Sequence, residues 1–189
     1  RGLLCLPVTA QIADNLQLKP MVENNTSLHK TPFSVSIDYR HGTTTGISAS
    51  DRAKTIRMAA DDNAKPSDFA RPGHIFPLIA RRGGVLKRAG HTEAVIDLVK
   101  LAGLKSVGIL CEIMDKDGTM ARVPQLMEMA KKYDLKIITI ADLIEYRRKR
   151  EKLVRCKVVV DLPSEHGDFK LHLYENLLEP NDNSIALVK

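Results

Sequence analysis

The chain has no tryptophan, and aromatic residues make up only 4% of its 189 positions. Proteins that hold single-stranded nucleic acid stack bases on aromatic rings, so there is little material here for such a surface. Cysteine is almost as scarce. Cys5, Cys111 and Cys156 are odd in number and far apart, which argues against a disulfide framework and against a paired zinc ribbon and fits a reducing compartment. No apolar run approaches the ~20 residues needed to span a bilayer, so no membrane partner is expected. The N-terminus shows no basic stretch leading into a long apolar one, hence no visible secretory signal. What the chain has is charge. A formal net charge of +6 suits nucleic acid or a small phosphorylated substrate, or has no specific meaning; with so few aromatics, no nucleic-acid partner is expected.

Hydrophobic periodicity predicts alternating strands and helices, an α/β layered architecture with a mixed sheet. Phe33 to Asp38 alternates apolar and polar residues as a half-buried strand does. Ser48 to Ala60 predicts a helix, capped by Ser48 with Asp51 at capping-box spacing, or by Ser50. The preceding Gly42-Thr43-Thr44-Thr45-Gly46 is either a plain turn or a loop for holding an oxyanion. Glu93 to Ala102 predicts an apolar helix closed by Gly103. Ser106 to Ile113 predicts a buried strand, Pro124 to about Tyr133 a helix, Lys136 to Ile140 a strand, and Ala141 to about Arg150 a helix. Arg147-Arg148-Lys149-Arg150 reads as a solvated helix end leading into a linker, since cations favour helix C-termini. Leu153 to Leu162 and Phe169 to Tyr174 predict further strands.

Three polar clusters carry the chemistry. Arg88-Ala89-Gly90-His91-Thr92-Glu93 places a cation, a flexible backbone and a potential metal ligand ahead of an apolar helix, which is equipment for a phosphate group. Upstream, Arg71-Pro72-Gly73-His74 offers a second cation and imidazole. Downstream, Cys111-Glu112 ends an apolar run with a carboxylate, where desolvation would raise its pKa and suit it to proton transfer. Each has a plainer reading: a surface arginine near a turn, a histidine at a helix start, a buried glutamate satisfied by an arginine.

In this order and spacing the motifs RPGH, RAGHTEA and LCEI closely resemble 3,4-dihydroxy-2-butanone 4-phosphate synthase of riboflavin biosynthesis, in its plant and bacterial bifunctional form. The resemblance covers about residues 1–150. It implies conversion of D-ribulose 5-phosphate into 3,4-dihydroxy-2-butanone 4-phosphate and formate, with Mg2+ (or Mn2+), by a homodimer whose sites lie near the subunit interface. It implies His74 and Glu112 as residues essential for activity, His91 as the metal-ligating histidine, and Arg88, Ala89, Gly90, His91 and Thr92 as the substrate-binding run. Thr45 and Asp51 fall in a segment resembling the family's TTTG-SASDR motif without a firm role, and Cys5 resembles a cysteine close to the pocket or is simply a small buried residue.

The sequence also departs from the family. The stretch Arg1-Gly2-Leu3-Leu4-Cys5 corresponds to a point after an acidic, glutamate-rich loop that supplies metal and substrate contacts, and these 189 residues do not contain that loop. Lys30 and Pro32 replace small or hydroxyl residues. Impaired activity is therefore expected of this chain alone, and a catalytically inactive paralogue serving as dimer partner or regulator is the alternative. Residues 151–189 resemble the opening of GTP cyclohydrolase II without its zinc-binding cysteines; Cys156 alone cannot replace about three protein ligands. The motifs look closer to plant forms, which implies the plastid stroma, or otherwise a bacterial cytoplasm.

Overall fold

A computed structural model describes residues 2–179 and 181–189. The chain divides into two compact units, Arg1–Ile140 and Ala141–Lys189. The division falls ten residues ahead of the boundary expected at 150 and puts the basic helix with the second unit.

In the first unit, strand β1 (Cys5–Thr9) runs directly into the short helix α1 (Ala10–Asn15), whose Thr9 cap accepts the Ile12 N–H. Strand β2 (Ile37–Tyr39) is followed by helix α2 (Ala49–Ala59), strand β3 (Phe69–Ala80), helix α3 (His91–Leu101) and helix α4 (Val123–Tyr133). The sheet order is β1-β3-β2, with β1 parallel and β2 antiparallel to β3. The mixed sheet and layered helices agree with the expected α/β class. Leu6, Val8, Ile37, Phe69 and Ile75 are at most 1% exposed and pack with Ala13, Leu16 and Ala59 of the helices into one core. Burying each large apolar side chain contributes about 1.5–3 kcal/mol.

Ser106 to Ile113 does not form the expected buried strand. The segment touches β1 through two isolated bridges, Cys5 to Leu110 and Val8 to Val107, and Ile109 is 52% exposed. It is an edge with a neighbour on one side only, so its apolar run is not enclosed. Lys136 to Ile140 is likewise not a strand, because among the described residues no ladder takes up its backbone, and Ile137 and Ile138 are exposed. The region expected as a strand from Phe33 is regular only over Ile37–Tyr39, although Ser34 and Phe33 make single bridges to Pro20 and Leu78.

The second unit contains helix α5 (Ile140–Arg150, assigned to it from Ala141) and the antiparallel strands β4 (Val154–Ser164), β5 (Gly167–Asn176) and β6 (Asn183–Val188), in the order β4-β5-β6. β4 is exposed along its whole length. In α5 the basic run is partly neutralised: Arg147 bonds Glu151 at 2.6 Å, and the Arg150 guanidinium lies 4.7 Å over the Tyr146 ring. Arg147 is buried rather than solvated, because its own helix turn supplies a carboxylate partner four residues on.

Candidate active site

The first cluster forms where β3 meets α3. Gly90 caps α3, which begins at His91, two residues earlier than periodicity predicts. At the start of any helix the first amide groups have no intrahelical acceptor and carry the positive end of the dipole. Thr92 sits in that first turn, 1% exposed, and among the described residues its Oγ1 has no hydrogen-bond partner. A buried hydroxyl left unpaired is costly unless something takes it up. Beside it the Arg88 guanidinium is fixed by Glu93 at 2.7 Å and donates to the His29 carbonyl at 3.3 Å. Glu93 is fully buried, and its other oxygen accepts the Arg81 N–H at 3.0 Å. Glu93 thus ties the arginine, the end of β3 and the start of α3 together. Reading the sequence missed this role, although a glutamate in the first turn of a helix, five residues after an arginine, was the available signal. Ala89 and His91 are exposed.

The second cluster lies around His74. The register between β2 and β3 jumps from Ile37 opposite Ile75 to Asp38 opposite Ala70, so residues 71–74 bulge out of β3. A side chain on Gly73 would collide with the Ile37–Asp38 backbone, which explains glycine in the RPGH motif. His74 N–H donates to Asp38 Oδ1 at 2.9 Å, and its Nδ1 stands 2.6 Å from Asp38 Oδ2. Arg71, read above as a second cation, is spent on the backbone: it donates to the carbonyls of Leu16 at 2.6 Å, Pro66 at 2.9 Å and Phe69 at 3.1 Å. Burial and the nearby Arg40 lower its pKa.

The threonine loop is pinned by Asp51. Its Oδ2 accepts the Thr44 hydroxyl at 2.7 Å, the Thr44 N–H at 3.2 Å and the Gly46 N–H at 3.1 Å. These bonds, led by that from the Thr44 hydroxyl, hold its carboxyl below the usual range. Ser48 accepts the Asp51 N–H at 3.0 Å, so it is the cap, and the capping box is one-sided because the Asp51 carboxylate turns to the loop. The first loop glycine, Gly42, has φ +67°.

Glu112 is half-buried. Its carboxylate accepts the Leu3 N–H at 3.1 Å and its carbonyl accepts the Gly2 N–H at 2.8 Å. The backbone, not an arginine, satisfies it. Cys5 is buried beside it, and burial first, then Glu112 and Cys111, pushes its thiol up to about 11.

Strand register relates the clusters. Leu110 faces Cys5, and Cys5 faces Phe76. Two residues further out in both directions lie Glu112 and His74, at one end of the sheet. Glu93, through Arg81, fixes the Arg88 cluster at the other end. His74 and Arg81 stand seven positions apart along extended chain, roughly 23 Å at ~3.3 Å per residue. Among the described residues no hydrogen bond or ion pair links the two ends. Nor do any three His, Cys, Asp or Glu residues come together in a way that could hold a metal ion.

A protein family described as 3,4-dihydroxy-2-butanone 4-phosphate synthase matches residues 1–146, and the chain belongs to that family. Riboflavin biosynthesis protein RibBA of Aquifex aeolicus (strain VF5) is 60% identical over 189 residues, covering 99% of this chain and 46% of that protein. RibBA of Bacillus subtilis (strain 168) is 55% identical, covering 97% and 46%. The chain spans about half the length of the curated relatives it matches. Among solved structures, RibBX, a two-domain 3,4-dihydroxy-2-butanone 4-phosphate synthase from A. baumannii, superposes with a TM-score of 0.87 at 46% identity, covering all of this chain and 55% of that one. A 3,4-dihydroxy-2-butanone 4-phosphate synthase in complex with two magnesium ions has a TM-score of 0.77 at 42% identity, over 79% of this chain and 74% of that one. These named relatives are enzymes of riboflavin biosynthesis or synthase structures, and nothing among them favours the inactive paralogue. No helix among the described residues is long and apolar enough to cross a membrane.

Proposed function

We propose that the first unit serves the conversion of D-ribulose 5-phosphate into 3,4-dihydroxy-2-butanone 4-phosphate and formate. The observation that carries this reading is the phosphate cradle: a buried Thr92 hydroxyl with no partner among the described residues, at the start of α3, beside an arginine locked in place by a buried glutamate. A phosphate oxygen would satisfy the hydroxyl and the first-turn amides while the remaining Arg88 donors neutralise its charge. The sugar carbons then need proton transfer, because enolisation, dehydration and rearrangement all move protons beside developing negative charge. His74 and Glu112 supply an imidazole and a carboxylate at one end of the sheet.

The separation of the two ends supports a homodimer in which the Arg88 cluster of one copy faces the His74 and Glu112 end of another. The metal is a different matter. Magnesium prefers about six oxygen ligands, and His91 stands without a carboxylate cluster among the described residues, so these residues do not by themselves fit the ion. We assign His91 as one ligand of Mg2+ (or Mn2+), with the others to come from residues outside those described. The bacterial relatives support a bacterial cytoplasm over the plastid stroma, and residues 151–189 are assigned to the start of a GTP cyclohydrolase II-like domain.

Titration calorimetry with ribulose 5-phosphate tests the cradle. Arg88→Ala should weaken binding by about tenfold or more, as expected for a charge-assisted contact, whereas Arg148→Ala on α5 should not. Equal losses would remove Arg88 from the site. Sharing between copies is tested by mixing Arg88→Ala with His74→Gln protein, both carrying the family's acidic loop: formate release above that of either parent is expected, and none above it, with the unsubstituted protein active, places each site within one subunit.

A further inference from the structure

We propose that Asp38 is a positioning residue for the reaction: it fixes the His74 ring in the Nδ1–H tautomer with Nε2 facing outward, and Gly46, anchored by Asp51, is the backbone seat that keeps the pair closed. The proposal rests on the catalytic reading of His74 above and adds how the imidazole is prepared.

The hydrogen bonds dictate the tautomer. An ionised carboxylate only accepts. Asp38 Oδ1 receives the His74 N–H at 2.9 Å, and Oδ2 lies 2.6 Å from Nδ1, so Nδ1 must carry a proton. In the neutral ring Nε2 is then the acceptor, the form a general base needs. The side chains are unequally exposed, 13% for Asp38 and 41% for His74, which hides the orienting carboxylate and leaves the ring reachable. Both of its backbone and ring contacts come from one residue, so Asp38 sets the position and the rotation of the imidazole together.

Gly46 closes the third side. A Cβ at this position would overlap the Asp38 carboxylate and stand 2.8 Å from His74 Nδ1. Its φ of +84° also lies in the region that favours glycine. The Gly46 N–H is tied to Asp51, so the start of α2 holds the loop against the pair. This gives the threonine loop a purpose that its composition alone did not reveal.

Substituting Asn for Asp38 makes a sharp test because the shape is kept. The His74 N–H can only donate, so the Asn oxygen must stay opposite it, and the amide NH2 then faces Nδ1. Nδ1 becomes an acceptor and the proton moves to Nε2. Long-range proton–nitrogen NMR of the imidazoles at alkaline pH, with the His74 signal assigned from the His74→Gln spectrum, should show Nδ1–H in the wild type and Nε2–H in Asp38→Asn. In protein that carries the family's acidic loop ahead of these residues, formate release should fall by about a hundredfold in Asp38→Asn, the lower end for a lost acid–base contribution, with KM unchanged. A wild-type ring already in the Nε2–H form, or a ring that does not respond in Asp38→Asn, overturns the proposal. The functional reading survives that result if His74→Gln still abolishes turnover. A switched tautomer with full turnover in both variants overturns the positioning role together with the catalytic reading of His74.

Discussion

The two ends of the first unit's sheet solve the same problem with the same device. At each, one carboxylate accepts a backbone N–H and holds a side chain of the proposed site: Glu93 takes the Arg81 N–H and Arg88, and Asp38 takes the His74 N–H and the His74 ring. They differ in burial. The Glu93 and Arg88 side chains are 0% and 24% exposed, whereas those of Asp38 and His74 are 13% and 41% exposed. An enclosed pair cannot lose one member without stranding the other, while a partly solvated pair can be broken and its pieces hydrated. The Arg88 end is therefore bound up with stability, and the His74 end is free to be tuned for chemistry.

The largest expected effect follows from that contrast. Glu93→Ala leaves the Arg88 charge half-enclosed and the Arg81 N–H without its acceptor, and should cost about 3 kcal/mol, the lower end for removing one member of a buried pair. Urea unfolding of the isolated chain measures it. Asp38→Asn should leave the urea midpoint nearly unchanged. If the two variants are equally destabilised, the contrast between the ends is wrong.

What could be read from the sequence, and what could not, follows the same physics. Ser48, Pro124 and Gly103 mark helix ends through local chemistry, and α2 to α5 were found within two residues of where they lie, whereas the short α1 (Ala10–Asn15) was not read at all. The motif segments also pointed to Arg88, His74 and Glu112 without any structure. The strands at 106–113 and 136–140 failed because an apolar run does not say whether a neighbour exists on both sides. Asp38 and Gly46 were not recognisable as site residues, since their roles depend on a contact 36 residues apart for Asp38 and His74, and on the approach of a loop; Glu93 was missed although its spacing from Arg88 was a local signal. Arg71 failed in the opposite direction: a conspicuous cation in a motif proved to be a brace for carbonyls.

A smaller effect sharpens the His74 end. The Asp51 carboxyl is held below its ordinary value of 3.8, first by the Thr44 hydroxyl and then by backbone N–H groups. A carboxylate with a depressed folded pKa binds its proton more readily in the unfolded chain, so it adds stability above the unfolded value, and that contribution is lost as pH falls through the folded one. Thermal unfolding across the acid range should show wild type losing stability below about pH 4, the reference region for Asp, with a shallower fall in Asp51→Asn. Identical acid limbs would mean that Asp51 does not anchor the loop in solution.

The smallest effect concerns Cys5, next to Glu112. Burial, aided by Glu112 and Cys111, raises its pKa from 9.0 to about 11. For a group raised on folding, the contribution to stability is present below the unfolded value and is lost as pH climbs through the folded one, so Cys5 favours the fold up to about pH 9 and ceases to do so toward pH 11. Its reactivity follows, because the thiolate is the nucleophile and two pKa units reduce its fraction about a hundredfold. Cys156 is exposed and should take up iodoacetamide first at mildly alkaline pH, with Cys5 reacting only as the protein unfolds. Glu112→Gln removes one of the two charges that raise the thiol, and mapping the alkylated peptides should then show Cys5 reacting somewhat faster without overtaking Cys156. Should Cys5 instead react as fast as Cys156 in the folded wild type, it is open to solvent, and the packing that places Glu112 against Leu3 is looser than described.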